Sequence, residues 1–346
     1  MKISIFAFTR QGRETARRIR SLLEREGDSV SIQVPGKMAD CDCAGYAGSL
    51  TAAAGEAFSG DALIFVGACG IAVRAISPHV QSKRCDPAVL CLDERAEFVI
   101  PLLSGHIGGA NRLARRLAHD LGATPVMTTA TDVNGRFSVD DWAAAQGFYI
   151  SDMALAKRVS AEILEQDIPI WLDIPQNDQD ELWPALPTGL CRGKSGPLGI
   201  CVSVRDIAPF DSTLLLIPKA LRVGIGCRRG IAQEAIATAV NAVFHENGLR
   251  LEAVREAASI DLKADEDGLN AYCHAMGWPI HFYPAEALKA VQGKFSASAF
   301  VQAHAGVDNV CERAAVAEGG TLIVPKTARD GVTVAVSEMK WGMSFG

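Results

Sequence analysis

The chain has 346 residues, 49% of them hydrophobic and 21% charged, which at about 100–200 residues per domain predicts two or three folded domains and excludes wholesale disorder. The net charge is −6, from 34 Lys and Arg against 40 Asp and Glu. That excludes broad electrostatic binding to nucleic acid, which needs a basic surface, and leaves room for a local basic pocket that takes a small polyanion.

In chain order, Lys2 to Phe8 reads as a strand, followed by a turn at Gly12 and a helix through Leu23. The buried strand Ala62 to Val66 runs into the turn Gly67-Ala68-Cys69-Gly70. The longest apolar run, Ala62 to Val73, is broken by those glycines and is well short of the ~18–20 residues of a membrane span. Phe98 to Leu102 reads as another strand. Ser104 to Asn111 (SGHIGGAN) then opens an amphipathic helix to Leu121, and Pro125 to Thr128 is a short strand. Alternating strands and helices predict an α/β layer with a mostly parallel sheet, whose ligands gather at the carboxyl ends of the strands. The segment from Val159 to Cys191 has no Lys or Arg and is interrupted by Pro169, Pro175, Pro184 and Pro187. It predicts a small, loop-rich middle domain with a solvated acidic surface. A third unit starts at Leu221, with strand Leu221 to Ile225, turn Gly226 to Gly230 and a helix to Asn247. Asp265 to Met276 reads as a helix, Pro279 to Tyr283 as a strand, and a further helix precedes Gly306. Strands Thr321 to Pro325 and Thr333 to Val336 close the chain. The predicted fold is two α/β lobes with mostly parallel sheets, residues 1–135 and 219–346, joined by a smaller middle domain, 136–218.

The N-terminal segment becomes charged too early for a signal peptide, so the expectation is a cytoplasmic protein without a membrane partner. The ten cysteines include no CxxC and no Cys/His pairing at zinc spacing, which predicts reduced thiols and no bound metal. His79, His119, His245, His274, His281 and His304 have no partners at ligand spacing and read as structural or surface residues.

Five stretches can carry chemistry. In SGHIGGAN, Gly105, Gly108 and Gly109 let backbone approach a ligand at a helix N-terminus, and His106 inside the turn can act as a base or a donor. A tight structural turn is the alternative. Gly67 and Gly70 form a second glycine turn, with Arg74 either meeting a carboxylate or simply lying at the surface. Asp93 and Glu94 are adjacent acids, suited to acid/base work or to a plain hairpin turn. VGIGCRRG, Val223 to Gly230, is a loose variant of a dinucleotide fingerprint and fits an anion better than a nicotinamide cofactor. Ser259, Asp261 and Lys263 alternate and would share one strand face, which is a polar site or the solvent side of an edge strand.

Taken together, VGACGIAVRAISPHVQSK, DPAVLCLDERAEFVIPLLSGHIGGANRLARRLA and TTATD, followed by RVGIGCRRG, ASIDLKADEDGL, SASAF, GVDNVCERAAVAEGG and LIVPK, resemble the cobalt-precorrin-5A hydrolase family (CbiG) of anaerobic cobalamin biosynthesis. The resemblance covers nearly the whole chain. It implies a reaction that opens the lactone joining the ring A acetate to a meso carbon, which then leaves with its methyl group as acetaldehyde. It also implies a cobalt-corrinoid substrate, no cofactor beyond the cobalt the substrate brings, and neighbouring pathway enzymes as candidate partners. A disc edged with carboxylates needs several anion sites. The expected substrate-binding set is Gly67, Gly70, Arg74, Ser104, Gly105, Gly108, Gly109, Asn111, Gly224, Gly226, Cys227, Arg228, Ser259, Asp261 and Lys263. His106 is the expected base, the amides near Gly108 and Gly109 the expected oxyanion donors, and Glu94 and Glu312 second-choice acid/base groups. Cys227 and Cys311 read equally well as small packed thiols. A non-catalytic corrinoid carrier and an NADP-dependent reductase are the alternatives; a methyltransferase would need a cofactor site that the sequence does not offer.

Overall fold

The computed structural model describes residues 1–82, 85–173, 186–297, 302 and 306–345. His304, the helix expected before Gly306, most of SASAF, and the segment of Pro175 and Pro184 lie outside the described residues. The chain packs as two compact units, Met1–Ala144 and Ala145–Gly346. Among the described residues no helix is long and apolar enough to cross a membrane.

The first unit is built on β1 (Lys2–Ala7), β2 (Ser29–Pro35), β3 (Ala44–Tyr46), β4 (Ala62–Val66), β5 (Ala88–Leu92), β6 (Phe98–Leu103) and β7 (Thr124–Pro125). They form one sheet in the order β3-β2-β1-β4-β5-β6-β7. Every pairing is parallel except β5 with β6. β4 and β5 are fully buried apolar runs, as expected of strands covered on both faces. The helix Arg10–Arg25 starts where Thr9 caps it, its hydroxyl accepting from the Gly12 amide at 3.0 Å. That helix buries Ala16, Ile19 and Leu23 at helical spacing. Helix Ala110–Leu121 buries Leu113, Ala114, Leu117 and Leu121 and stops at Gly122, whose φ of 68° ends a helix without strain.

The second unit holds two sheets. The strands β8 (Tyr149–Ile150), β9 (Ile168–Leu172), β10 (Leu190–Arg192), β11 (Gly199–Val202) and β12 (Thr213–Ile217) form a sheet in the order β10-β9-β11-β12-β8. The middle segment is therefore a regular α/β layer, where its prolines and acids led us to expect loops. β13 (Leu221–Cys227), β14 (Val254–Ile260), β15 (Ile280–Tyr283), β16 (Thr321–Arg329) and β17 (Val332–Glu338) form the other sheet, in the order β15-β14-β13-β17-β16. One apolar core runs through both sheets, joining Cys201, Val204, Leu215 and Ile217 to Leu221, Val223 and Ile225. That shared core is why the two sheets pack as one unit.

Candidate active site

The direction of β6 separates residues that the sequence placed together. β5 runs parallel to β4, and Val66 pairs with Leu92 at their carboxyl ends. β6 returns antiparallel, with Leu92 opposite Val99 and Val89 opposite Leu103. The loop after β6 therefore sits where β4 and β5 begin. Gly67 and Glu94 lie at the other end of the sheet, roughly 15 Å away along a five-residue strand.

At the carboxyl end, Gly67 (φ 155°) passes close to the Phe8 ring, and the Arg74 guanidinium folds back over Gly70. Asp93 makes the hairpin turn, accepting from the amides of Arg95, Glu97 and Phe98 at 2.8, 2.9 and 2.7 Å. Glu94 accepts a hydrogen bond from Thr9 Oγ1 at 2.7 Å. This end lies near the β1/β4 switch point, where ligands of such sheets gather, and it carries two acids beside Arg74; Glu94 cannot share a reacting atom with His106.

At the opposite end, Ser104 holds a left-handed φ of 55°. The loop closes through Gly109 N donating to His106 O at 2.8 Å, Ala110 N to Ser104 O at 3.1 Å and Asn111 N to Gly105 O at 2.8 Å. A Cβ on Gly105 would stand 2.7 Å from Asn111 Oδ1, and one on Gly108 would collide with Ser104 Cβ. Those two glycines are needed so that the loop can fold on itself. The Gly109 amide is already engaged, so it is not a free oxyanion donor, contrary to expectation.

This folding sets His106 among three aspartates. Its Nδ1 lies 3.3 Å from Asp140 Oδ2 and 3.2 Å from Oδ1. Nε2 is buried without a hydrogen-bond partner among the described residues, 3.7 Å from Asp132 Oδ2. Asp132 is itself held: Asn111 Nδ2 donates to it at 2.7 Å, as does the Thr129 hydroxyl, and Arg115 pairs with its other oxygen. Asp140 also accepts from Ser138 Oγ at 3.0 Å. Donating its Nδ1–H to Asp140 raises the His106 pKa above its usual value, against the opposing effect of burial. For Asp140, burial works to raise the pKa, but the hydrogen bond and charge of His106 outweigh it and hold the carboxyl below its ordinary range. The neighbouring Asp141 is pushed up by burial. Ser104 Oγ, Thr131 Oγ1 and Asp141 Oδ1 are also buried without hydrogen-bond partners among the described residues, so unsatisfied polar atoms occur along the three segments that frame His106. An imidazole fixed at Nδ1 by a carboxylate, with Nε2 unpaired, can move a proton to or from a bound substrate.

In the second unit most of the expected residues are committed to packing. β13 continues through Cys227, past the turn expected at Gly226. A Cβ on Gly224 would run into the Cys311 carbonyl and stand 2.9 Å from Ala315 N, and one on Gly226 would stand 2.6 Å from Thr333 Oγ1. Gly224 seats the helix Cys311–Ala315 on the sheet, and Gly226 packs against the Thr333 side chain of β17, so both lie within a paired strand and not on the open turn that the dinucleotide reading calls for. Ser259 is buried and donates to Ile225 O at 2.6 Å. The strand ends at Ile260, and Asp261 and Lys263 lie on a 3-10 turn, so the three do not share a strand face. Lys263 pairs with buried Glu266 at 3.2 Å, and Glu266 also accepts from Gly230 N at 2.5 Å. Arg228 packs over Gly331. Burial raises the Cys227 thiol to about 11 and the Cys311 thiol to about 11, so neither is a thiolate nucleophile at neutral pH. Glu312, 1% exposed, accepts from Ser296 N at 2.7 Å, Ser296 Oγ at 3.0 Å, Asn309 Nδ2 at 2.8 Å and Lys326 N at 2.7 Å. Its lone pairs are filled by the protein.

The sequence reading missed Asp132, Asp140 and Asp141. Asp132 closes the TTATD motif; Asp140 and Asp141 sit at the start of helix Val139–Gln146, 34 and 35 positions beyond His106. Only tertiary packing brings them to the imidazole.

Residues 53–132 match the family model described as "Cobalamin synthesis G N-terminal", and residues 221–337 the one described as "Cobalamin synthesis G C-terminus". His106 and Asp132 fall in the first match; Asp140 and Asp141 lie between the two. The chain is 34% identical over 344 residues to a cobalt-precorrin-5A hydrolase of Salmonella typhimurium, covering 96% of this chain and 97% of the relative. It is 31% identical over 300 residues to one of Priestia megaterium, covering 82% and 79%. A solved cobalamin biosynthesis protein G homolog from Sulfolobus solfataricus aligns over 98% of this chain and 97% of its own, at 21% identity and a TM-score of 0.42. The chain belongs to the cobalt-precorrin-5A hydrolase family.

Proposed function

We propose that this protein is a cobalt-precorrin-5A hydrolase, which opens the ring A acetate lactone of its cobalt-corrinoid substrate and releases the meso carbon and its methyl group as acetaldehyde. The observation that carries the reading is the end-to-end match to a relative of that name, over 96% of this chain at 34% identity. The chemistry of the His106 cluster supports it. Lactone opening needs a proton taken from water, a developing oxyanion stabilised and a proton given to the leaving alkoxide; the later carbon–carbon cleavage needs the alcohol deprotonated. A carboxylate-fixed imidazole with an unpaired Nε2 is suited to such transfers. The buried hydroxyls of Ser104 and Thr131 are the candidate oxyanion donors, in place of the engaged Gly109 amide. Arg74 is a candidate partner for one of the substrate's peripheral carboxylates. Cobalt enters with the substrate, so the reading calls for no resident metal, and the reaction belongs in the cytoplasm beside neighbouring pathway enzymes.

The test is anaerobic incubation of the purified protein with cobalt-precorrin-5A, trapping acetaldehyde and measuring the mass of the tetrapyrrole. Stoichiometric acetaldehyde, with a tetrapyrrole lighter by the two-carbon unit, is the expected result. Tight binding without acetaldehyde refutes the hydrolase and leaves the carrier.

A further inference from the structure

Resting on the hydrolase reading, we propose that Asp141 is the base that takes the proton from the attacking water, and that His106 enters the reaction as the charged group that gives one. This assigns a catalytic role to a residue outside both family-model matches and reverses the simple expectation that the histidine is the base.

The geometry supports the division of roles. His106 faces a carboxylate on each side: Asp140 at Nδ1, 3.2 Å away, and Asp132 across Nε2 at 3.7 Å. An imidazole between two aspartates keeps its proton. Asp141 is differently placed. Its Oδ1 is buried with no partner among the described residues, and its Oδ2 is 4.0 Å from Arg115 Nη1, beyond hydrogen-bond reach. The side chain as a whole is 20% exposed, with Oδ1 on its buried side. Arg115 is committed to Asp132. The charged groups around Asp141 are His106, Arg115, Arg112 and Asp132, and those around His106 are Asp140, Asp141 and Asp132. Burial outweighs the cations and raises Asp141, making it a better base than an ordinary aspartate, while Asp140 raises His106. Both shifts are upward, so the ordinary order of a carboxyl and an imidazole is kept, with the carboxylate as the base and the imidazolium as the acid.

The proton balance closes over the two steps. In the first, Asp141 takes a proton from water as the oxygen adds to the lactone carbonyl. The acyl–oxygen bond breaks, and the leaving alkoxide takes the His106 proton. In the second, neutral His106 removes the alcohol proton as the carbon–carbon bond breaks. The O–H electron pair becomes the aldehyde C=O, and the bonding pair enters the macrocycle, which takes the proton held by Asp141. One water is consumed, its hydroxyl ending in the acid and its hydrogen on the ring. Both residues return to their starting states without an oxidant or reductant.

The experiment is kcat/KM for acetaldehyde release across pH. The wild-type rate should rise as Asp141 ionises and fall as His106 loses its proton above the ordinary 6.5. Asp141→Asn should lose about 100-fold or more in kcat, lose the low-pH rise and keep the high-pH fall, with an unchanged far-ultraviolet circular dichroism spectrum. Asp141→Ala should regain rate on addition of formate, a rescue that a merely structural residue would not give. A wild-type rate that rises through the His106 titration overturns the assignment whether or not the variants fold. So does an Asp141→Asn rate within threefold of wild type, or an inactive, folded Asp141→Ala that formate does not rescue. A wild type that binds substrate and releases no acetaldehyde refutes the hydrolase reading itself. An active wild type with an indifferent Asp141 refutes only the assignment.

Discussion

Glu312→Gln should act on the fold of the second unit before it acts on chemistry. The carboxylate accepts four hydrogen bonds, two of them from the backbone amides of Ser296 and Lys326, and is 1% exposed. An amide in its place turns one acceptor oxygen into a donor. If the NH2 takes the Oε1 position, the Ser296 hydroxyl can rotate to accept, but Lys326 N–H cannot. If it takes the Oε2 position, it meets Ser296 N–H. At least one buried donor is left unpaired, costing about 1–3 kcal/mol, and the surviving bonds fall from charge-assisted to neutral strength, about 1 kcal/mol each. The total is about 3 kcal/mol, allowing for the desolvation that a neutral side chain avoids. In a unit of about 200 residues this lowers Tm by about 6–12 °C. Differential scanning calorimetry on the full chain reads the shift directly, alongside acetaldehyde release measured well below the transition. A large loss of activity with an unmoved Tm would refute the reasoning and restore Glu312 as an acid/base residue.

Gly108→Ala places a Cβ against Ser104. It should cost about 1–3 kcal/mol by overpacking, seen as an earlier transition of the first unit, with a matching loss of acetaldehyde release as His106 shifts. Arg222 is buried, paired with Glu256 at 2.5 Å and with Glu318 at 3.1 Å. Glu256→Ala should destabilise by about 3 kcal/mol, near the low end for a broken buried pair because Glu318 remains, and urea unfolding measures it. The raised His106 pKa fixes the sign of a pH effect on stability. Folded His106 holds its proton more tightly than the unfolded chain does, so its contribution is complete below the unfolded value and is lost as pH rises through the folded one. The Tm difference between wild type and His106→Asn should therefore shrink from pH 6 to pH 9, and a constant or widening difference would contradict the Asp140 pairing.

Local chemistry made much of the protein legible in its sequence. A buried apolar run marked β4, the stretch after Gly12 marked the first helix, and the glycines of SGHIGGAN marked a turn in which Gly105 and Gly108 leave no room for a side chain, while the equally apolar β5 went unread. These features depend on neighbours within a few positions. The order of the motifs added the family. Strand direction was not legible, because pairing is decided by residues far apart in the chain. The antiparallel return of β6 carries His106 to the end of the sheet opposite Glu94, so two acid/base candidates 12 positions apart serve different places. The glycines of VGIGCRRG looked like a ligand turn, since a glycine that admits a phosphate and one that admits a helix backbone are written with the same letter. Packing decides that Gly224 is the second kind, against the Cys311 carbonyl, while Gly226 makes room for the Thr333 side chain. The aspartates around His106 come from a short helix and a helix start beyond β7. The burial that raises Asp141 and the Asp140 contact that raises His106 exist only once the chain has folded. Residue types and local shape are written in the sequence, while the partners of a buried charge are set by tertiary packing.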